Sequence, residues 1–277
     1  MSGGGQAAAR PVWIWLHGFG ASPAVWGDPA GWLPEVRHRM FSFAGCDTVA
    51  AMRDRLYEMI GGESAPVSLV GWSFGGMLAL ETMLELWERQ GFQEQGASAD
   101  GDYEGKRLGI ERLILVGATL RFVGERRDQA WPERIVRRMR TQLAADADKT
   151  LRAFAESMLS AGERASSDAA SLSRLAAPTD FSPSGLDAAL AYLLETDLTE
   201  RWERFAARAG NKIGDGDLDI VWLHGELDPI CPVGAIAGVQ AGRKVIFPGA
   251  GHAPFVTQQD LFIQTVRRIA YERRSDQ

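Results

Sequence analysis

The chain has 277 residues, 45% of them hydrophobic and 24% charged, enough to bury a full-sized core and ordinary for a soluble globular protein. Its net charge of −6 argues against a general nucleic-acid binder, which needs an excess of Lys and Arg to neutralise phosphates. No stretch approaches the roughly 20 apolar residues that span a bilayer, and the Gly- and Ala-rich first ten residues lack the apolar segment of a leader, so the expectation is a cytoplasmic protein with no membrane partner.

In chain order, short apolar runs at 12–16, 67–70, 113–116, 220–223 and 245–247 have the length of buried strands, with a further strand expected at 40–43. Helical patterns such as 48–60 and 77–87 fall between them. Strands alternating with helices predict an α/β fold whose mostly parallel sheet is covered on both faces. The residues at 91–109 are Gly, Ser, Asp, Glu and Gln where a tight helix-to-strand turn belongs, and read as a mobile loop. From 121 to 210 the pattern turns helical and charged with no convincing strand, which predicts a helical cap inserted between two parts of the core, 1–120 and 211–277, the first ten residues being flexible.

The chemistry starts at Val67-Ser68-Leu69-Val70-Gly71-Trp72-Ser73-Phe74-Gly75-Gly76, a strand followed by G-x-S-x-G and then an apolar helix. This is the setting of a nucleophile elbow, in which a serine sits on a strained turn and small neighbours let strand and helix backbones approach. Ser73 is the candidate nucleophile. Asp228 follows the 220–223 strand, on a loop at the strand's C-terminal end where open parallel sheets carry their sites. It is the candidate for orienting a catalytic imidazole, with Glu226 its nearest competitor. His252, in Gly251-His252-Ala253-Pro254-Phe255 just after the last strand, is the candidate base and then acid.

Acyl transfer also needs donors for the developing oxyanion. The backbone N–H of Phe74, directly after the serine, and of Phe19, in Leu16-His17-Gly18-Phe19-Gly20 after the first strand, are the candidates. His17 reads as structural rather than as a second base. Cys46 and Cys231 match neither a disulfide framework nor a metal spacing and read as packing residues. The four histidines form no zinc pattern, so neither metal nor organic cofactor is expected.

Taken together these segments resemble the α/β-hydrolase superfamily over nearly the whole chain, with the acid and base following the serine in the order Ser, Asp, His. Within it the chain looks most like the BioH-type pimeloyl-[acyl-carrier protein] methyl ester esterases of biotin synthesis. The residues that carry this are Trp15 to Gly20 followed by Val25-Trp26, the Gly71 to Gly76 elbow, Trp131-Pro132 at the opening of the cap, and Gly251 to Phe255. The resemblance implies hydrolysis of a methyl ester on an acyl chain joined to an acyl-carrier protein. It implies a substrate channel lined by Phe19, Met139, Arg140, Thr141, Gln142 and Leu143. The chain departs from many relatives in lacking an N-terminal strand pair and in having the long 91–109 stretch.

The cap is compatible with that substrate on its own terms. On a helix beginning near Pro132, Ile135, Met139 and Leu143 form an apolar stripe, and Arg134, Arg137 and Arg138 lie on another face. Residues 121–140 hold seven arginines against Glu125, Asp128 and Glu133, a local surplus of four positive charges in an acidic protein. Such a face, with Arg152 as a further contact, attracts an acidic carrier, although a charge run is also what an ordinary solvated face looks like. Two other readings stay open: a general carboxylesterase or carbon–carbon bond hydrolase acting on small free substrates, and a non-catalytic binding module on the same fold. A haloalkane dehalogenase is disfavoured, because that chemistry needs a carboxylate where Ser73 stands.

Overall fold

The computed structural model describes residues 10–96, 109–166, 169–209 and 218–272. Six strands form one sheet in the order β2-β1-β3-β4-β5-β6, every neighbouring pair parallel: β1 (Val12–Leu16), β2 (Arg37–Met40), β3 (Val67–Trp72), β4 (Ile110–Val116), β5 (Asp219–Gly225) and β6 (Arg243–Phe247). The central strands β1, β3, β4 and β5 are buried almost throughout, as expected of parallel strands covered on both faces. Helices α1 (Pro29–Trp32), α2 (Val49–Gly61), α3 (Phe74–Gly96), α10 (Pro254–Thr257) and α11 (Gln259–Glu272) belong to the sheet layers. Helices α4 (Glu133–Ala145), α5 (Ala147–Ser157), α6 (Ala161–Ser166), α7 (Ala169–Leu175), α8 (Pro183–Glu195) and α9 (Thr199–Ala209) form the insertion between β4 and β5.

Two element boundaries differ from expectation for identifiable reasons. The strand anticipated at 40–43 lies at Arg37–Met40. It is a polar edge strand whose Arg37 and Arg39 both pair with Glu63, and charge on an edge deters pairing with another chain. The apolar Phe41 and Phe43 sit just beyond it, fully buried, where Phe43 packs on Phe74 (5.4 Å) and Phe181 (4.5 Å), so their hydrophobicity serves the core rather than a ladder. At the other boundary, α3 runs on through Gly96, where a loop was expected from residue 91. Gln and Glu at 93–95 are good helix formers and carry the helix past Gly91. Residues 97–108 of that stretch, and the first nine residues expected to be flexible, lie outside the described residues.

Candidate active site

The chain passes from β1 outward to β2 and then returns to the other side of β1 as β3. The crevice at the C-terminal ends of β1 and β3 is therefore a topological switch point, where open α/β sheets bind ligands. Ser73 follows β3 and the Gly18-Phe19 turn follows β1, so the two segments read from separate motifs flank one crevice.

Ser73 has φ of 53°, in the left-handed region that a non-glycine residue occupies at a cost of about 1–3 kcal/mol. The strain is held by neighbours on both sides: Ser73 N–H donates to the Val116 carbonyl (2.9 Å) and Met77 N–H to the Ser73 carbonyl (3.0 Å). A Cβ on Gly71 would stand 2.5 Å from the Gly76 Cα, and one on Gly75 would collide with the carbonyls of His17 and Leu16. The two motif glycines thus let α3 start directly against β3 and the end of β1. We expect Gly75→Ala to fold with a loss of about 2 kcal/mol and a Tm lower by roughly 5 °C in thermal denaturation; an unchanged Tm would show that this close approach relaxes freely.

His252 and Asp228 meet in the interior, both side chains fully buried. His252 Nδ1–H donates to Asp228 Oδ2 over 2.8 Å, and Asp228 Oδ1 accepts from the N–H groups of Ile230 and Cys231, each at 2.8 Å. With Nδ1 protonated, the lone pair is at Nε2, which is buried and has no hydrogen-bond partner among the described residues. The His252 backbone is fixed from two sides: its carbonyl accepts from Trp72 Nε1–H (2.9 Å), next to Ser73, and its N–H donates to the Met158 carbonyl (2.8 Å) at the end of α5. A Cβ on Gly117 would reach 3.1 Å from the imidazole Nδ1, so His252 packs on the residue after Val116, the one that holds Ser73. Glu226 is directed elsewhere, its carboxylate accepting from Gly249 N–H (2.9 Å).

His224 is a second imidazole beside Asp228, with Nε2 2.5 Å from the Cys231 carbonyl and 3.7 Å from Asp228 Oδ2. Burial, against the pull of Asp228, holds its pKa below the ordinary 6.5. A neutral Nε2–H serves the Cys231 carbonyl and leaves the Asp228 charge to His252. Phe74 opens α3, and Phe19 is buried edge-on against Phe154 of α5 (5.6 Å between rings), so the second proposed donor lies under the insertion.

The residues expected to line a channel separate into three groups. Met139 and Gln142 line a groove of about 550 Å³ between α4 and α5, together with Trp131, Ile135, Arg138 and Phe154. Arg140 instead makes a two-pronged ion pair with Asp187 of α8, lowering the pKa of that carboxyl, and Thr141 is exposed with its hydroxyl donating to the Arg137 carbonyl. Leu143 is half-buried against the core. The apolar face of α4 is also shifted: Val136 and Met139 are its buried residues, whereas Ile135 is 39% exposed on the groove. Of the arginines expected to meet a carrier, Arg137 pairs with Glu133 one turn away, while Arg134, Arg138 and Arg152 are exposed and make no ion pair among the described residues. A larger cavity of about 1110 Å³, between the root of the insertion, α9 and residues 233–241, touches none of the candidate residues.

Three contacts at the site were not legible in sequence: the Met158 carbonyl on His252, Trp131 Nε1–H donating to the Pro229 carbonyl next to Asp228 (2.8 Å), and Asp180, which lies 3.0 Å from His17 Nε2. Only Trp131 carried any signal, as part of Trp131-Pro132. Asp180 reads as an unremarked turn residue before a Pro-started helix. Among the described residues no group of His, Cys, Asp or Glu is arranged to hold a metal, and no helix is long and apolar enough to cross a membrane.

Pimeloyl-[acyl-carrier protein] methyl ester esterase of Nitrosomonas europaea is 26% identical over 270 residues, covering 91% of this chain and 93% of that protein. The protein of the same name from Aliivibrio salmonicida is 23% identical over 268 residues, covering 92% and 90%. Among solved structures, an esterase from Exiguobacterium antarcticum superposes with a TM-score of 0.69 at 20% identity over 94% of this chain and 91% of that one. A bromoperoxidase from Bacillus anthracis gives 0.67 at 16% identity over 93% and 91%. The sequence model of the alpha/beta hydrolase family matches residues 13–265, nearly the full length of the six-stranded sheet and its insertion. The chain belongs to the alpha/beta hydrolase family.

Proposed function

We propose that the protein is a serine carboxylesterase that hydrolyses the methyl ester of a pimeloyl chain carried on an acyl-carrier protein. The observation that carries the esterase reading is the buried Asp228–His252 pair, whose Nε2 has no hydrogen-bond partner among the described residues and whose backbone is tied to Trp72, the residue before the strained Ser73 at the switch point. Ser73 Oγ attacks the ester carbonyl as His252 Nε2 takes its proton. The N–H groups of Phe19 and Phe74 receive the oxyanion, and the imidazolium, steadied by Asp228, returns the proton to the departing methoxide. Methanol leaves. His252 then draws a proton from water, which attacks the acyl-enzyme and frees the carboxylate and Ser73. No step calls for a metal or organic cofactor.

The choice of substrate is supported by the names of relatives that match over nine-tenths of both chains, and by the α4–α5 groove. Trp131, Ile135, Met139 and Phe154 offer an acyl chain an apolar bed, with Arg138 and Lys149 at its margin. Arg137 and Arg140 are occupied within the protein, so Arg134, Arg138 and Arg152 are the candidate arginines that remain for an acidic carrier. Charge reversal at Arg134 and Arg152 together is expected to lower kcat/KM on carrier-borne pimeloyl methyl ester by about tenfold at low salt, and the rate on free monomethyl pimelate by less than about twofold. Raising ionic strength to 0.5 M should erase the difference between variant and parent. Equal rates on the two substrates in the parent protein would instead favour a general carboxylesterase.

A further inference from the structure

A second histidine–carboxylate pair, buried His17 with half-buried Asp180, is not used by the reaction, and its placement points to a task. Asp180 lies in the insertion between α7 and α8. Its Oδ2 accepts from Ser42 Oγ–H (2.7 Å) and Phe43 N–H (3.1 Å), and its Oδ1 is 3.0 Å from His17 Nε2. Its backbone N–H and the hydroxyl of Thr179 both reach the Ala21 carbonyl, at 3.2 and 3.1 Å. Residues 179 and 180 therefore hold the turn after β1 at its start, His17, and at its end, Ala21, with Phe19 midway between.

That turn needs holding. It contains Gly18 and Gly20, the latter at φ of 71°, and glycine backbone has little rigidity of its own. An oxyanion donor works only within about 2.7–3.1 Å of where the charge develops. The His17 ring is fully buried, edge-on to Phe43 (4.8 Å) and Phe181 (5.6 Å), with Nδ1 3.0 Å from the Gly18 carbonyl, so a shift of the ring moves the peptide next to Phe19. Burial raises the Asp180 pKa, but the His17 ring beside it and the bonds from Ser42 and Phe43 outweigh it and keep the carboxyl below its ordinary value, as suits a group held charged.

We propose that Asp180, acting through His17, is a positioning residue for the oxyanion donor at Phe19, so that the insertion supplies part of the catalytic geometry of the core. This rests on the serine esterase reading above. Asp180→Asn keeps the shape and loses the charge. It is expected to lower kcat on p-nitrophenyl butyrate by about tenfold to a hundredfold with KM within about twofold, and to weaken a trifluoromethyl ketone inhibitor in proportion to kcat/KM. His17→Leu should show the same loss, and Asp180→Asn added to it should cost less than a further twofold, because the two act as one unit. His17→Gln, which keeps a donor near the Nε2 position, should recover at least half of the loss on a logarithmic scale.

A merely structural role predicts a lower Tm with kcat and inhibitor affinity unchanged in the folded variant, and that result overturns the proposal. So does full additivity of the two substitutions. If Asp180→Asn does not fold, the comparison of His17→Leu with His17→Gln decides on the same readouts: equal kcat in the two overturns it. The esterase reading fails separately, through an active Ser73→Ala protein. A dead Ser73→Ala alongside an unimpaired Asp180→Asn removes only the positioning role.

Discussion

Ser73→Ala is expected to lower ester turnover by at least ~10⁴-fold while leaving the protein folded. The serine contributes to the fold chiefly through its backbone, by the N–H bond to Val116 and the carbonyl bond from Met77, both of which alanine keeps. Its strained φ is imposed by the packing of β3 against α3 and persists in the variant. The loss therefore falls on chemistry, because no other nucleophile stands at the end of β3. Hydrolysis of p-nitrophenyl butyrate, labelling by a fluorophosphonate read by mass spectrometry, and Tm test this together. The parent should take up one phosphonyl group and the variant none, at a Tm within about 2 °C. Near-parental hydrolysis by a folded, unlabelled Ser73→Ala protein would overturn the nucleophile assignment.

Asp228→Asn is expected to cost about 10³–10⁴ in kcat by a different route. The asparagine carbonyl can still accept from Ile230 and Cys231 N–H, so the loop stays in place. Its NH₂ then faces His252 Nδ1, which must become an acceptor, and the ring proton moves to Nε2. The imidazole is then in the tautomer that cannot take a proton from Ser73. His224 offers no relief, because burial keeps it neutral and its Nε2–H is engaged by Cys231. Glu226→Gln, by contrast, touches only the Gly249 N–H bond and should stay within about fivefold of the parent. A collapse of activity in Glu226→Gln, with Asp228→Asn within tenfold, would reverse their roles.

What could be read in advance followed from how local the signal was. The elbow around Ser73 is visible because its constraint, strand against helix with small residues between, is made by ten consecutive residues. The strands β1, β3, β4 and β5 are visible because burial on both faces leaves unbroken apolar runs. The edge strand β2 was displaced by three residues because Arg37, His38 and Arg39 carry no apolar signal, whereas Phe41 and Phe43 carry one for another purpose. On α4 the apolar period was recognisable but its phase was not. Val136 faces inward beside Met139 where Ile135 was expected, and Ile135 lies on the groove instead. Asp180 had no local signature at all: its partners, His17 and Ser42, come from the ends of two other strands.

The insertion is fastened to three of the segments that carry candidate catalytic groups: Met158 to His252, Trp131 to Pro229 beside Asp228, and Asp180 to the turn around Phe19. This partitions its freedom to diverge. On the esterase reading proposed above, residues near 131, 158 and 180 are bound to the geometry of the candidate site, and a change there is expected to alter turnover before it alters taste. The outward faces of α4 and α5 carry none of these ties, so their side chains are free to vary in size and charge. A lineage that acquired a new acyl partner would rewrite those two helices first, and leave the turns between them and the sheet as they are.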